Sequence, residues 1–250
     1  MRWRIHLIKA LDIVLNDTIL DIATGTADVP ILVANQSKEL WILQDPSEGK
    51  MTPILGLDPS QEMLTIGHHK IQKLHLQQYI QLIQGDVQNM SRFESESFSK
   101  ISISFGLRNV ENRSLALTEI FRVLKSNAPE AQSLSKFCIL EFSRPTHGYL
   151  SQLALIFIKY GLPMIGTLFT RNYQAYQHLA KSIIEFPLPY ELIEELHAVG
   201  FQNCQFENVF HDIVYLYTCS GQVDKNNSED EQTKDDFEFI AQSELNLNGL

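Results

Sequence analysis

Three aspartates close three apolar runs: Asp21 in the run 18–23, Asp58 at the end of 53–58, and Asp86 just after 79–83. A carboxylate at a strand end can receive two ribose hydroxyls, one on each oxygen, which suits Asp58. Asp86 can take an adenine amino group or a proton, and Asp21 opens a turn of small residues, Ala23, Thr24, Gly25, Thr26 and Ala27. Asp21, Ala23, Gly25 and Ala27 keep the spacing D-x-G-x-G-x-G, with alanine at two glycine positions. A pyrophosphate needs glycine at several turn positions so that the backbone can approach it, whereas a sulfonium nucleoside has no phosphate to cradle. The turn therefore points to S-adenosylmethionine, leaving S-adenosylhomocysteine as product, rather than to NAD. The cofactor set expected from this reading is Asp21, Ala23, Thr24, Gly25, Thr26, Asp58, Asp86, Val87 and Ser104. Any one of these aspartates alone also reads as a helix cap or turn former. Their placement at three successive strand ends favours the site.

Positioning such a set requires alternating strands and helices, and the chain supplies them. Strand patterns occupy 18–23, 53–58, 79–83, 100–105, 136–142, 201–207 and 213–219. Helical patterns follow at 29–35, from Ser60 towards Ile71, at 115–125 and at 190–199, the last closed by Gly200. The expected fold is α/β, a Rossmann-like seven-stranded sheet with an antiparallel final hairpin. Residues 36–52 read as a surface insertion and 149–187 as an apolar lid segment. Residues 1–220 form one domain in this reading, and 221–250 a disordered acidic tail with eight acidic and two basic residues. A docking role is the alternative for that tail.

Of 250 residues, 30 are acidic and 20 basic, a net charge of −10 that argues against nucleic acid as a partner. Cys138, Cys204 and Cys219 are scattered, so neither a disulfide framework nor a metal cluster is expected. The start, MRWRIHLIKA, lacks a signal-peptide pattern, and an intracellular location is expected. This covers a bacterial cytoplasm, or a mitochondrial matrix or plastid if the true start lies upstream.

A longer similarity runs over 18–218: LDIATGTAD (20–28), GLDPSQEML (56–64), Gly85-Asp86, SFGLRNVENRSLAL (104–117), EIFRVLK (119–125), ILEFSRP (139–145) and AYQHLAKSIIEFP (175–187). In this order the segments resemble the ubiquinone/menaquinone biosynthesis C-methyltransferase family. That resemblance implies a class I methyltransferase that methylates a ring carbon of a polyprenylated quinol, demethylmenaquinol or 2-methoxy-6-polyprenyl-1,4-benzoquinol. It also implies transient contact with a membrane surface and other quinone-biosynthesis enzymes as partners. Trp3 to Leu11 matches the end of a front helix that helps close the family's cofactor site. Ser126-Asn127-Ala128 replaces the family's Pro-Gly-Gly, a change expected to be structural.

The chemistry asks for an electron-rich ring carbon, made by taking a proton from a ring hydroxyl that by analogy with Tyr titrates near about 10. Arg108 is suited to stabilise the phenolate and Asn109 to hold its oxygen. The proton would go to water, Asp86 or Glu141. Tyr176 could orient the ring, or simply fill an amphipathic helix; His178 is a weaker candidate. Residues 149–169, the most apolar stretch, read as a lid over a prenyl channel, interrupted by Lys159, Gly161 and Pro163 and so unsuited to span a bilayer. The alternative to an enzyme is a methyltransferase-like scaffold that binds lipid quinone or partner enzymes without turnover.

Overall fold

The central β-branched and leucine-rich runs become strands buried on both faces, as a parallel sheet covered by helices demands, while the edge strands at 80–84 and 202–210 stay partly exposed. A computed structural model describes residues 2–42, 53–127, 134–145 and 173–222. The strands are β1 (Ile19–Ile22), β2 (Ile54–Asp58), β3 (Ile80–Gln84), β4 (Lys100–Ser104), β5 (Lys136–Phe142), β6 (Gln202–Phe210) and β7 (Val214–Ser220). They form one sheet in the order β3-β2-β1-β4-β5-β7-β6. β1 to β5 pair in parallel, and β7 runs antiparallel between β5 and β6. The seven strands and the antiparallel final hairpin agree with the sequence reading. The strand order reverses between β1 and β4, and at such a switch point the loops on either side diverge and leave a crevice.

Helices cover both faces. α1 (Arg2–Leu11), α2 (Asp28–Ile42) and α3 (Gln61–Lys73) pack Leu7, Val33 and Leu64 onto one face with Ile54 and Leu140. α4 (Arg113–Val123) and α6 (Pro189–Val199) pack Leu117, Ile120, Leu192 and Leu196 onto the other with Ile101 and Phe137. α5 (Tyr173–Glu185) lies against the short 3-10 turn Leu107–Asn109 that follows β4. Ser60 and Asn112 cap α3 and α4, each side-chain oxygen accepting an amide of the first turn, from Met63 and Leu115. Gly200, at φ +121°, ends α6 where the sequence places it.

One boundary departs from expectation. α2 runs seven residues beyond Asn35, to Ile42, and Ser37 is buried, so the segment 36–52 begins as helix rather than as a surface insertion. A polar stretch at 35–39 interrupts the apolar signal while the helix continues. In the polar loop after α4, Asn127 is buried: its Oδ1 accepts from the Ser135 amide at 2.6 Å and its Nδ2 donates to the Gly221 carbonyl at 3.1 Å. That closure ties the loop to the end of β7 and bears out its structural role. The rest of the expected insertion, the apolar stretch 149–169 and the acidic tail beyond 222 lie outside the described residues.

Candidate active site

The chain leaves β1 through a turn in which Ala23, Gly25 and Ala27 take φ of 51°, 57° and 64°. The two alanines thus occupy the glycine positions of the motif and adopt the backbone that glycine would, at about 1–2 kcal/mol each. The turn is held by its own amides. Thr24 N–H donates to the Leu57 carbonyl at 3.1 Å, Ala27 N–H to the Thr24 carbonyl at 3.0 Å, and Gly25 N–H to Asp58 Oδ2 at 2.8 Å. The other Asp58 oxygen accepts the Ser60 amide at 2.9 Å. Two backbone donors therefore fix this carboxylate, and each oxygen retains accepting capacity towards the crevice.

The crevice has a volume of about 590 Å³, within the range of about 300–1,000 Å³ usual for small-molecule sites. All nine expected cofactor residues line it, as does Asn109. Its floor depends on Gly106: a Cβ there would lie 2.3 Å from that of Ala23, so the loops after β1 and β4 can meet only with glycine at this position.

Asp21 is buried beneath the turn. The β1–β4 register sets it opposite Ser102, whose hydroxyl donates to Asp21 Oδ1 at 2.7 Å. Burial pushes its carboxyl up from 3.8 to about 7, a rise moderated by the Ser102 hydrogen bond and the Arg4 charge. Asp86 is exposed, with Oδ1 accepting from the Gln88 backbone at 2.9 Å. The Ser104 hydroxyl is shielded and lacks a partner among the described residues, a donor left for a ligand.

The expected catalytic residues divide. Asp86 and Asn109 line the crevice; Arg108 and Tyr176 do not. Arg108, expected as a fixed cation for the phenolate, is the partner of Glu141, which is wholly buried near the end of β5: Nη1 donates to Glu141 Oε1 at 2.6 Å and to the Phe105 carbonyl at 2.7 Å. The guanidinium also lies 5.2 Å from the Phe142 ring centre. Burial raises the Glu141 pKa while Arg108 opposes the rise. A carboxylate so engaged is not placed to act as the base the sequence reading allowed. Arg108 does line a second cavity of about 300 Å³, with His178 and Ser182 of α5 and with Phe186. Tyr176 is half-buried on α5 and lines neither cavity.

One contributor went unread in the sequence. Arg4 of α1 lines the crevice, brought there by Trp3, whose ring meets those of Phe105, Phe142 and Phe210 at centroid distances of 6.1, 6.4 and 5.2 Å. The Trp-Arg pair at the chain's start was the available signal.

The lining fits S-adenosylmethionine: a fixed carboxylate for the ribose, an unpartnered hydroxyl, a floor only glycine permits, and a turn with one glycine. Among the described residues no three histidine, cysteine or acidic side chains gather to hold a metal. The sheet order and this crevice define a class I S-adenosylmethionine-dependent methyltransferase. Solved structures agree on the fold. The [4+2]-cyclase SpnF superposes with a TM-score of 0.60 at 14% identity, over 89% of this chain and 81% of its own. A SAM-dependent methyltransferase from Aquifex aeolicus does so at 0.56 and 13%, over 87% and 88%.

The chain belongs to the ubiE/COQ5 methyltransferase family, which it matches over residues 1–220. The ubiquinone/menaquinone biosynthesis C-methyltransferase UbiE of Geotalea daltonii is 33% identical over 216 residues, 86% of this chain and 83% of that protein. The demethylmenaquinone methyltransferase of Porphyromonas gingivalis is 30% identical over 215 residues, 86% and 80%.

Proposed function

We propose that the protein transfers the methyl group of S-adenosylmethionine to a ring carbon of a polyprenylated quinol, demethylmenaquinol or a 2-methoxy-6-polyprenyl-1,4-benzoquinol. The observation that carries this reading is the span of one short segment: Ser104 and Asn109 line the cofactor crevice, and Arg108 between them lines the cavity beside α5. One segment thus presents donor groups to both spaces.

When bound, S-adenosylmethionine supplies a methyl on a sulfonium. The chain's part is to make the acceptor nucleophilic and to hold it. Asn109 offers an amide and Arg108 its guanidinium N–H groups to the ring oxygen, favouring the phenolate over the phenol. The hydroxyl proton passes to water or to Asp86, since Glu141 is engaged by Arg108. The ring carbon gains the methyl as the S–CH3 bond breaks to leave S-adenosylhomocysteine. It then releases its own proton, which restores the aromatic ring as a phenolate, and the oxygen takes a proton back to give the quinol, one proton being released overall. A prenylated acceptor resides in lipid, so the reading also has the protein work at a membrane surface, beside other quinone-biosynthesis enzymes. Among the described residues no helix is long and apolar enough to cross a membrane.

The test is transfer of labelled methyl from S-adenosylmethionine to reduced demethylmenaquinol and to the reduced benzoquinol, with Asp58→Ala beside the wild type. Label in either ring, lost in the variant, supports the reading and identifies the pathway. Intact cofactor binding with label in neither ring refutes the assigned acceptor.

A further inference from the structure

Arg4 is the only cation among the described residues that line the crevice, against Asp21, Asp28, Asp58, Asp86 and Glu111. A ring of carboxylates suits the sulfonium and ammonium of S-adenosylmethionine, but it repels the ligand's own carboxylate, which needs a donor of opposite charge. Three amides of the turn that could have served, those of Thr24, Gly25 and Ala27, are already spent on Leu57, Asp58 and Thr24.

Arg4 is only partly committed elsewhere. Its Nη1 stands 3.3 Å from Asp28 Oδ2, while the other Asp28 oxygen is held at 2.7 Å by Lys70, which also donates to Thr26 Oγ1 at 2.6 Å. Arg4 Nε is shielded from solvent and has no hydrogen-bond partner among the described residues. A guanidinium with an idle buried N–H, beside a carboxylate already satisfied by another cation, has donors to spare for a planar anion.

We propose that Arg4 binds the α-carboxylate of the cofactor's amino acid moiety, making the front helix a selectivity element for adenosyl thioethers that carry that carboxylate. This rests on the cofactor reading above. Leu7 and Leu11, fully buried, and Trp3 within its aromatic cluster fix α1 on the body, so the charge is held in place.

The experiment is calorimetric titration of the full chain with S-adenosylhomocysteine and with S-adenosyl-3-thiopropylamine, which lacks only the carboxylate. Wild type, Arg4→Gln and Arg4→Lys are compared. Loss of one charge-assisted hydrogen-bond partner should weaken S-adenosylhomocysteine binding in Arg4→Gln by about tenfold to a hundredfold. The amine should bind that variant as well as the wild type or better, and Arg4→Lys should recover part of the loss. Parallel weakening of both ligands would assign Arg4 a packing role and overturn the proposal, as would unchanged S-adenosylhomocysteine binding. A wild type that binds neither ligand would overturn the cofactor reading itself, and this assignment with it.

Discussion

Asp21 makes the apo protein less stable than its fold allows, and Asp21→Asn should reveal by how much. Burial holds the carboxyl at about 7 against an ordinary 3.8, a gap worth about 4 kcal/mol at about 1.4 kcal/mol per pH unit. The folded state binds this proton more tightly than the unfolded chain. The group's contribution is therefore fully present below about pH 3.8 and is lost as pH rises through about 7. Asparagine cannot ionise, yet its oxygen still accepts the Ser102 hydroxyl that now lies 2.7 Å from Asp21 Oδ1. Urea unfolding of the cofactor-free protein at several pH values supplies the test. The linkage relation puts the penalty on the wild type at about 2 kcal/mol at pH 5 and about 4 kcal/mol at pH 8. Any fixed cost of the amide cancels in that comparison, so the variant should gain about 2–3 kcal/mol on the wild type between the two pH values. A stability gap constant across this range would refute the reasoning, because it would mean that Asp21 ionises as freely folded as unfolded.

Glu141→Gln leaves the buried Arg108 guanidinium without its counter-charge and should cost about 3–5 kcal/mol in urea unfolding. Replacing both partners, Arg108→Met with Glu141→Leu, should recover most of it, and a single variant as stable as the wild type would show that the pair is not buried as described. Ala23→Gly removes a Cβ from a residue at φ 51° and should stabilise the protein by about 1 kcal/mol, the reverse of the usual sign for this exchange. Thermal unfolding checks it, and a lower midpoint would mean that the turn does not hold this conformation.

What the sequence disclosed about the site follows the range of the interactions that build it. The Asp58 cradle was legible because a strand-end acid, a small-residue turn and a serine cap are local patterns, and the nine residues they suggest do converge. The Asp21–Ser102 pair was not, since it depends on the register of two strands whose contact residues are 81 positions apart. Arg108 and Glu141 were each singled out, one as a cation for the phenolate and one as a possible base. Only the adjacency of β4 and β5 shows that each occupies the other. Arg4 escaped because the likeness of Trp3 to Leu11 to a site-closing helix does not say which of its side chains reaches the crevice. Tyr176 was drawn in by its segment, and a segment match does not specify which side of α5 a residue takes.

In the proposed reaction, the Arg108–Glu141 pair changes how the phenolate would be stabilised. A free guanidinium would act through its net charge, felt over several ångströms and indifferent to small displacements. A guanidinium neutralised by a carboxylate at 2.6 Å has little net field to offer, and what remains are N–H donors at defined positions. Stabilisation then becomes a matter of distance and alignment, steep in both. This explains why the side chain is tied at the Phe105 carbonyl, at Glu141 and over the Phe142 ring, more restraints than charge alone would require. It also bears on selectivity: a field attracts any anion, whereas fixed donors accept only an oxygen that a correctly seated ring delivers to them.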